Sequence, residues 1–225
     1  MNNHAPIWWF AACGMLALFF AWPSLEADAP GLSVREEPDR LVYRWRGPVD
    51  AAMVTQFDDT YHRWRHDPRR IVISLHSDGG SVDQGSRVID LVRRMKRTHD
   101  VDTLVEAGRY CASMCVPIYL AGSRRTAAAR ANFMFHEVRF DKAGKAEIDK
   151  LIRSMGPAGR GKDHAEVMRA LVARATDKYF EEYLEPKVGN DRWLADMRKA
   201  IRGRDVWRTA QQLLQEQTTI VHTIE

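Results

Sequence analysis

Short apolar runs alternate with longer segments whose apolar residues recur at helical spacing. Compact apolar or alternating runs predict strands at 41–46, 71–75, 101–107 and 132–136. Apolar residues at i, i+3 and i+4 predict helices over 51–65 and 82–97, and 117–121 continues as a third helix. Strand, turn and helix in repetition favour an α/β class with a parallel sheet and crossover helices.

The remaining segments set the expected domain limits. Residues 30–39, within a stretch rich in Pro, Gly, Asp and Glu, are predicted to be a linker. One α/β domain is expected over 40–225, with a polar and mostly helical insertion at 139–200. Within it, Gly156-Pro-Ala-Gly-Arg-Gly161 indicates a mobile loop.

The N-terminus carries sixteen successive uncharged residues at 7–22. This run is borderline for spanning a bilayer, which takes roughly 17–25 apolar residues. Residues 1–29 are therefore predicted to be an uncleaved membrane anchor or a signal peptide, with membrane contact through 5–25. The triplet Ala27-Asp-Ala29 would be the cleavage site, but Pro30 follows it and no Lys or Arg precedes the run, so an anchor is favoured.

Composition and charge narrow the classes of function. Apolar residues make up 45% and charged residues 28%, as in an ordinary globular protein. The net charge of +4 comes without an aromatic-interleaved basic stripe or a nucleic-acid motif, so no nucleic-acid partner is expected. No metal site is expected near Cys111 and Cys115, since no further Cys or paired His completes a ligand set, and no cofactor is implied.

Three features that could take part in catalysis each follow the end of a predicted strand: the Gly79-Gly80 turn, Ser113 and His136. Ligands gather at the carboxyl ends of strands in such sheets. A serine becomes a nucleophile when a base takes its proton, and backbone amides must stabilise the resulting oxyanion. His136 is the candidate base, and the amides of Met114 and the glycine turn are candidate donors. Taken singly, Ser113 could serve close packing and His136 could be an ordinary core residue.

In this order the motifs resemble the Clp protease proteolytic subunit, within the crotonase-like superfamily of repeated ββα units. The resemblance rests on Ile71-Val-Ile-Ser-Leu-His-Ser-Asp-Gly-Gly80, Gly108-Arg-Tyr-Cys-Ala-Ser-Met-Cys115 and Phe133-Met-Phe-His136, within residues 40–138. It implies Ser113 as nucleophile, His136 as base, and the amides of Gly80 and Met114 as the oxyanion hole. It also implies Asp205, in Arg204-Asp-Val-Trp207, as third member of a triad, a peptide or protein substrate, and a homo-oligomer.

The chain departs from the family pattern at several points. Asp78 stands where the family has proline, which places a negative charge beside the expected oxyanion hole, and the segment from His136 to Asp205 is longer. Cys111 and Cys115 bracket Ser113 and could be reduced packing residues or a disulfide. The pattern Cys-Ala-Ser-x-Cys is similar to a branch of periplasmic Clp-like proteins, which implies a periplasmic location.

Three hypotheses follow. The first is an exported or membrane-anchored serine endopeptidase that uses Ser113, His136 and Asp205. The second is a crotonase-type enzyme acting on an acyl thioester, and the third is a non-catalytic Clp-like module for assembly or peptide binding. Labelling of Ser113 by a fluorophosphonate distinguishes the first from the third, and thioester turnover by a Ser113→Ala variant identifies the second.

Overall fold

A computed structural model describes residues 30–140, 142–154 and 164–225. The strands are β1 Gly31–Glu36, β2 Arg40–Arg46, β3 Arg70–His76, β4 Val101–Val105, β5 Tyr110–Ala112, β6 Arg125–Ala127, β7 Asn132–Phe135, β8 Val206–Thr209 and β9 Thr223–Ile224. The helices are α1 Ala51–Trp64, α2 Val82–Met95, α3 Cys115–Leu120, α4 Lys142–Ser154, α5 His164–Tyr179, α6 Asp191–Ala200 and α7 Ala210–Gln215, and a π-helical turn covers Phe180–Leu184.

The strands form two sheets. The larger has the order β1-β2-β3-β4-β6-β9, in which only β1 runs antiparallel to its neighbour. The smaller has the order β5-β7-β8, with β5 and β7 parallel and β8 antiparallel. The predicted α/β class with parallel strands and crossover helices is therefore confirmed.

Helices α1 and α2 form at the predicted positions because capping and apolar spacing agree. The Asp50 side chain accepts from the Met53 amide, and the Ser81 side chain accepts from the Gln84 amide, so each helix begins with a capped turn. The buried face of α1 contains Met53 and Phe57 and packs into the same core as the central strands. Ser81 thus starts α2 directly after the glycine turn.

Strand β1 corrects the prediction of a linker over 30–39. Residues Gly31–Glu36 pair along their whole length with β2, in the register Leu32 to Trp45 and Val34 to Tyr43. Leu32 and Val34 pack against the core, whereas Ser33, Arg35 and Glu36 are exposed. An edge strand with one solvated face is compatible with a charged, glycine-containing sequence, which by composition alone resembles a linker.

Strand β5 was also missed by sequence reasoning, which predicted only a strand-to-helix junction after Gly108. Its three residues pair with β7, Cys111 opposite Phe133 and Ala112 opposite Met134. A run this short carries no periodic signal, so its existence depends on the partner strand. The pairing places the residue after β5, Ser113, beside the end of β7.

The predictions for the N-terminus fall on 1–29, outside the described residues, and these include the predicted membrane contact at 5–25. The predicted loop at 156–161 is also outside them. Within the described ranges, no helix has the length and apolarity needed to cross a membrane. Helices α4, α5 and α6 and the π-helical turn make up most of the described residues within 139–200.

Candidate active site

Ser113 occupies a tight junction between β5 and α3. Its φ of +54° is unusual for a residue with a side chain and persists only where the surroundings hold it. The Ser113 amide donates to the carbonyl of Met134 on β7 (2.9 Å), and the Ser113 carbonyl accepts from the Val116 amide (2.9 Å). The backbone on both sides of the side chain is thereby fixed.

The glycine turn lies directly against this junction. A Cβ added to Gly79 would stand 2.6 Å from the Ala112 carbonyl oxygen and 2.6 Å from the Ser113 Cβ, far inside van der Waals contact. Gly79 also has a φ of +86°. Glycine is required here by both the backbone conformation and the space, because the turn approaches the serine closely.

Most of the predicted site residues line one cavity of about 380 Å³. Ser113, His136, Gly80 and Met114 all line it. Its other lining residues are Asp78, Val82, Met134, Val138, Arg139, Tyr179 and Trp207. Strands β5 and β7 are parallel neighbours that end together, and an isolated bridge between Ser77 and Cys111 holds the turn after β3 beside them.

Two of the residues that line this cavity are notable for their backbone amides. The N–H groups of Gly80 and Met114 have no acceptor among the described residues. The Gly79 carbonyl accepts from the Val49 amide (2.8 Å). Because a trans peptide places its N–H opposite its carbonyl, the Gly80 N–H points away from Val49. Paired donors of this kind can stabilise a developing oxyanion.

His136 directly follows β7, and its Nδ1 hydrogen-bonds to the carbonyl oxygen of Glu137. A carbonyl can only accept, so in the neutral ring Nδ1 carries the proton and Nε2 is left to take one. Burial lowers the pKa of His136, and the positive charge of Arg139 lowers it further. The Glu137 carbonyl and the charge of Asp205 act in the opposite direction. His136 is therefore a neutral base at neutral pH.

Asp205 lies beside His136, but its carboxylate is engaged elsewhere. It directly precedes β8, whose Val206 pairs with Phe135, the residue before His136. The Asp205 Oδ1 accepts from a guanidinium nitrogen of Arg139, and Asp205 does not line the cavity. The structure brings together four predicted site residues and leaves Asp205 at the edge, within electrostatic reach of His136.

Sequence reasoning missed several features of the cavity. The Glu137 carbonyl that engages His136 is a backbone atom and leaves no trace in residue type. Arg139 and Tyr179 come from the segment expected to be an insertion, and their contacts with Asp205 and Ser113 connect residues 66 apart. Trp207 could have been predicted, because it stands two residues after Asp205 in the motif Arg204-Asp-Val-Trp207.

Asp78, expected to oppose an oxyanion by its charge, lines the cavity and has a hydrogen-bond partner. The Tyr110 hydroxyl hydrogen-bonds to its carboxylate, which raises the pKa of Tyr110. The Tyr110 ring in turn contacts Trp207, with 6.0 Å between ring centroids. Asp78 is therefore a hydrogen-bonded carboxylate and not an isolated one.

Cys111 and Cys115 form a disulfide across the serine turn. Their Cα atoms are 5.2 Å apart, and both side chains are fully buried. Of the two alternatives left open by the sequence, the structure contains the disulfide. The bond joins β5 to the first residue of α3 and so encloses Ser113.

Replacing both cysteines with alanine is expected to lower the free energy of unfolding by about 2 kcal/mol, the chain-entropy value for so short a loop. Each single Cys→Ala variant should lose nearly as much as the double variant, because either one removes the same covalent bond. Denaturant unfolding measures all three. Dithiothreitol should lower the Tm of the wild-type protein only; equal sensitivity in the double variant would contradict the assignment.

A serine, a histidine and two amides without an acceptor among the described residues lie at one cavity, and these are the group types that a serine hydrolase uses. The family model for Clp protease matches residues 63–202, and the chain belongs to that family. The recognition drawn from the motifs is thus confirmed, as is the expected class of enzyme. The periplasmic branch stays a prediction.

The fold has a counterpart among solved structures. A mutant of ClpP1 from Listeria monocytogenes is similar with a TM-score of 0.55 at 18% sequence identity, over 82% of this chain and 90% of that one. At this identity the likeness shows the fold alone. No curated protein matches the sequence significantly.

Proposed function

We propose that this protein is a serine endopeptidase in which Ser113 is the nucleophile and His136 the general base. The observation that carries the proposal is the convergence of Ser113, His136, Gly80 and Met114 on one cavity, where the amides of the last two have no acceptor within the described part of the chain. Peptidase-like chemistry agrees with membership of the Clp protease family. The assignment of roles to these residues is our own.

The residues would act in the usual order for acyl transfer. The Ser113 hydroxyl attacks the peptide carbonyl while His136 Nε2 takes its proton, and the Gly80 and Met114 amides stabilise the oxyanion. His136 then gives the proton to the departing amine as the peptide C–N bond breaks. A water molecule, activated by the same imidazole, hydrolyses the acyl-enzyme and restores Ser113.

Asp205 is the proposed partner of the imidazolium that forms during the reaction. Its negative charge favours protonated His136 from a position beside it. Arg139 weakens this effect of Asp205 on His136, because it hydrogen-bonds to the Asp205 carboxylate and lines the same cavity as His136. Orientation of the ring therefore falls to the Glu137 carbonyl, and Asp205 acts through space.

The cavity favours an extended peptide with an apolar side chain near the scissile bond. Val82 and Trp207 line it and are 41% and 47% exposed, unusually open for large apolar residues. Met134 forms a further apolar wall. Exposed apolar groups around a cleft are typical of a binding site, because substrate burial removes them from water.

The same proposal extends to location and assembly. The buried disulfide between Cys111 and Cys115 supports an oxidising compartment such as the periplasm, since disulfides persist there and are rare in the cytosol. The uncharged run at 7–22 would serve as signal or anchor. Family membership supports a homo-oligomer.

The test is covalent labelling of the full-length, oxidised protein with a fluorophosphonate probe. We expect labelling of the wild-type protein, none of Ser113→Ala, and unchanged labelling of Ser123→Ala, whose serine lies exposed in the turn after α3. Mass spectrometry should place the adduct on Ser113. An unlabelled wild-type protein would favour the non-catalytic module, and acyl-thioester turnover by Ser113→Ala would favour the crotonase-type alternative.

The pH dependence of kcat/KM should follow His136. Burial lowers its pKa from the ordinary value of 6.5, so the base is available at neutral pH, and kcat/KM should rise with pH through an inflection below 6.5. Arg139→Gln should move the inflection upward, because it removes a positive charge and exposes that of Asp205. Asp205→Asn should move it downward. Inflections that stay in place in both variants would contradict this electrostatic account.

A further inference from the structure

The carbonyl of Ser113 accepts two hydrogen bonds. One comes from the Val116 amide in the first turn of α3, at 2.9 Å. The other comes from the Tyr179 hydroxyl, at 3.1 Å, from a helix 66 residues further along the chain. The second bond is a tertiary contact with the main chain of the proposed nucleophile itself.

This carbonyl controls one of the two proposed oxyanion donors. Ser113 and Met114 share a peptide unit, and in a trans peptide the N–H points opposite the carbonyl. Donors that hold the Ser113 oxygen on one side therefore direct the Met114 N–H to the other side. That N–H has no acceptor among the described residues, and Met114 lines the cavity.

The orientation of this peptide needs support. Ser113 has a φ of +54°, a sparsely populated conformation that persists only where contacts hold it, so the direction of the peptide that follows depends on such contacts. Rotation would turn the carbonyl oxygen toward the cavity and the N–H out of it. The Val116 amide opposes rotation with one backbone bond, and the Tyr179 hydroxyl adds a second from outside the turn.

Tyr179 is well placed for this task. It is the last residue of α5, and its ring contacts Phe180 and Tyr183 of the π-helical turn, with centroids 6.1 and 5.7 Å away. These contacts limit the positions open to the hydroxyl. Burial raises the pKa of Tyr179, so the hydroxyl keeps its proton and remains a donor.

We propose that Tyr179 is a positioning residue of the oxyanion hole: by holding the Ser113 carbonyl, it directs the Met114 N–H at the substrate oxygen. The inference rests on the proposed peptidase function. It gives the segment after His136 a role in catalysis, because α5 supplies the tyrosine whose hydroxyl bonds to the Ser113 carbonyl. Tyr179 acts through the backbone of Ser113 and Met114.

The first test is Tyr179→Phe, which removes the hydroxyl and keeps the ring. We expect kcat for a reporter peptide to fall about 10- to 100-fold with KM unchanged, a part of the roughly 10²–10³-fold loss caused by removing a whole oxyanion donor. Tyr119→Phe is the matched control. Its hydroxyl also donates to a backbone carbonyl, that of Thr126, at 3.1 Å, and it lies on α3, the helix after Ser113. Tyr119→Phe should lose similar thermal stability and keep its kcat.

Two further measurements separate positioning from general damage. The Ki of a peptide aldehyde, which forms a tetrahedral adduct, should rise in Tyr179→Phe in proportion to the fall in kcat/KM. The inflection of the pH profile should stay where it is in the wild-type protein, because Tyr179 does not act through His136. A wild-type kcat or a wild-type Ki in Tyr179→Phe would overturn the inference.

A crystal structure of Tyr179→Phe decides the question even without activity. We expect the Ser113–Met114 peptide to be rotated or in two orientations in the variant and single in Tyr119→Phe. An unmoved, single peptide would overturn the positioning role. A wild-type protein that neither labels nor hydrolyses peptides would defeat the proposed function, whereas a labelled, active enzyme with an insensitive Tyr179→Phe variant would defeat only this inference.

Discussion

Replacing Ser113 with alanine is expected to lower kcat for peptide hydrolysis by about 10⁶, the loss found when the nucleophile of a Ser-His pair is removed. The methyl group leaves the cavity, the glycine turn and both amide donors in place, so the fold and the Tm should change little. What is lost is the oxygen that forms the acyl-enzyme. Single-turnover kinetics with a fluorogenic peptide measures the loss, and circular dichroism checks the fold.

The comparison variant is Asp205→Asn, for which we expect a far smaller loss than for Ser113→Ala. The Asp205 carboxylate is held by Arg139, and the ring of His136 is oriented by the Glu137 carbonyl. Removing the charge should therefore cost electrostatic stabilisation of the imidazolium without releasing the ring. Equal losses in the two variants would show that Asp205 orients His136 directly during the reaction and that the pairing with Arg139 is broken at that stage.

Gly79→Ala is expected to eliminate activity and to lower the free energy of unfolding by about 3 kcal/mol. The left-handed backbone at a φ of +86° costs a residue with a side chain about 1–2 kcal/mol. The new methyl group would also stand 2.6 Å from the Ser113 Cβ and the Ala112 carbonyl, and relieving such overlap costs roughly 1–3 kcal/mol more. Moving either neighbour displaces the nucleophile or its oxyanion donor.

Gly108→Ala is the matched control for that variant. Gly108 has a similar φ of +72°, but a Cβ added there would meet no atom within 4 Å. It should show the backbone penalty alone, about 1–2 kcal/mol in denaturant unfolding, with kcat/KM close to that of the wild-type protein. If the two variants unfold at the same denaturant concentration and remain equally active, the close approach of the glycine turn to Ser113 is refuted.

Much of the central fold and site could be predicted from local patterns. Helices α1 and α2 carry their caps, Asp50 and Ser81, in the sequence itself, and the compact β-branched run at 71–75 is typical of a buried parallel strand. The order of the double glycine, Ser113 and His136 then placed the site at the strand ends. These signals are short-range and therefore readable without the fold.

The segments that were missed lack such signals. Strand β1 has a charged exposed face and is ordered by pairing with β2, whereas β5 is three residues long and is ordered by β7. In both cases the stabilising partner lies elsewhere in the chain. Local composition describes the segment and carries no information about that partner.

The amino-acid sequence by itself determined which groups could do chemistry here: a serine after one strand, a histidine after the next, and glycines that allow close approach. The tertiary structure alone decided how those groups are directed. It brings Gly80 and Met114 to one cavity, gives His136 a backbone partner, pairs Asp205 with Arg139 and brings Tyr179 to the Ser113 carbonyl. The reason is physical: hydrogen-bond direction depends on backbone geometry and on contacts between residues far apart in the chain, and neither is a property of a residue type.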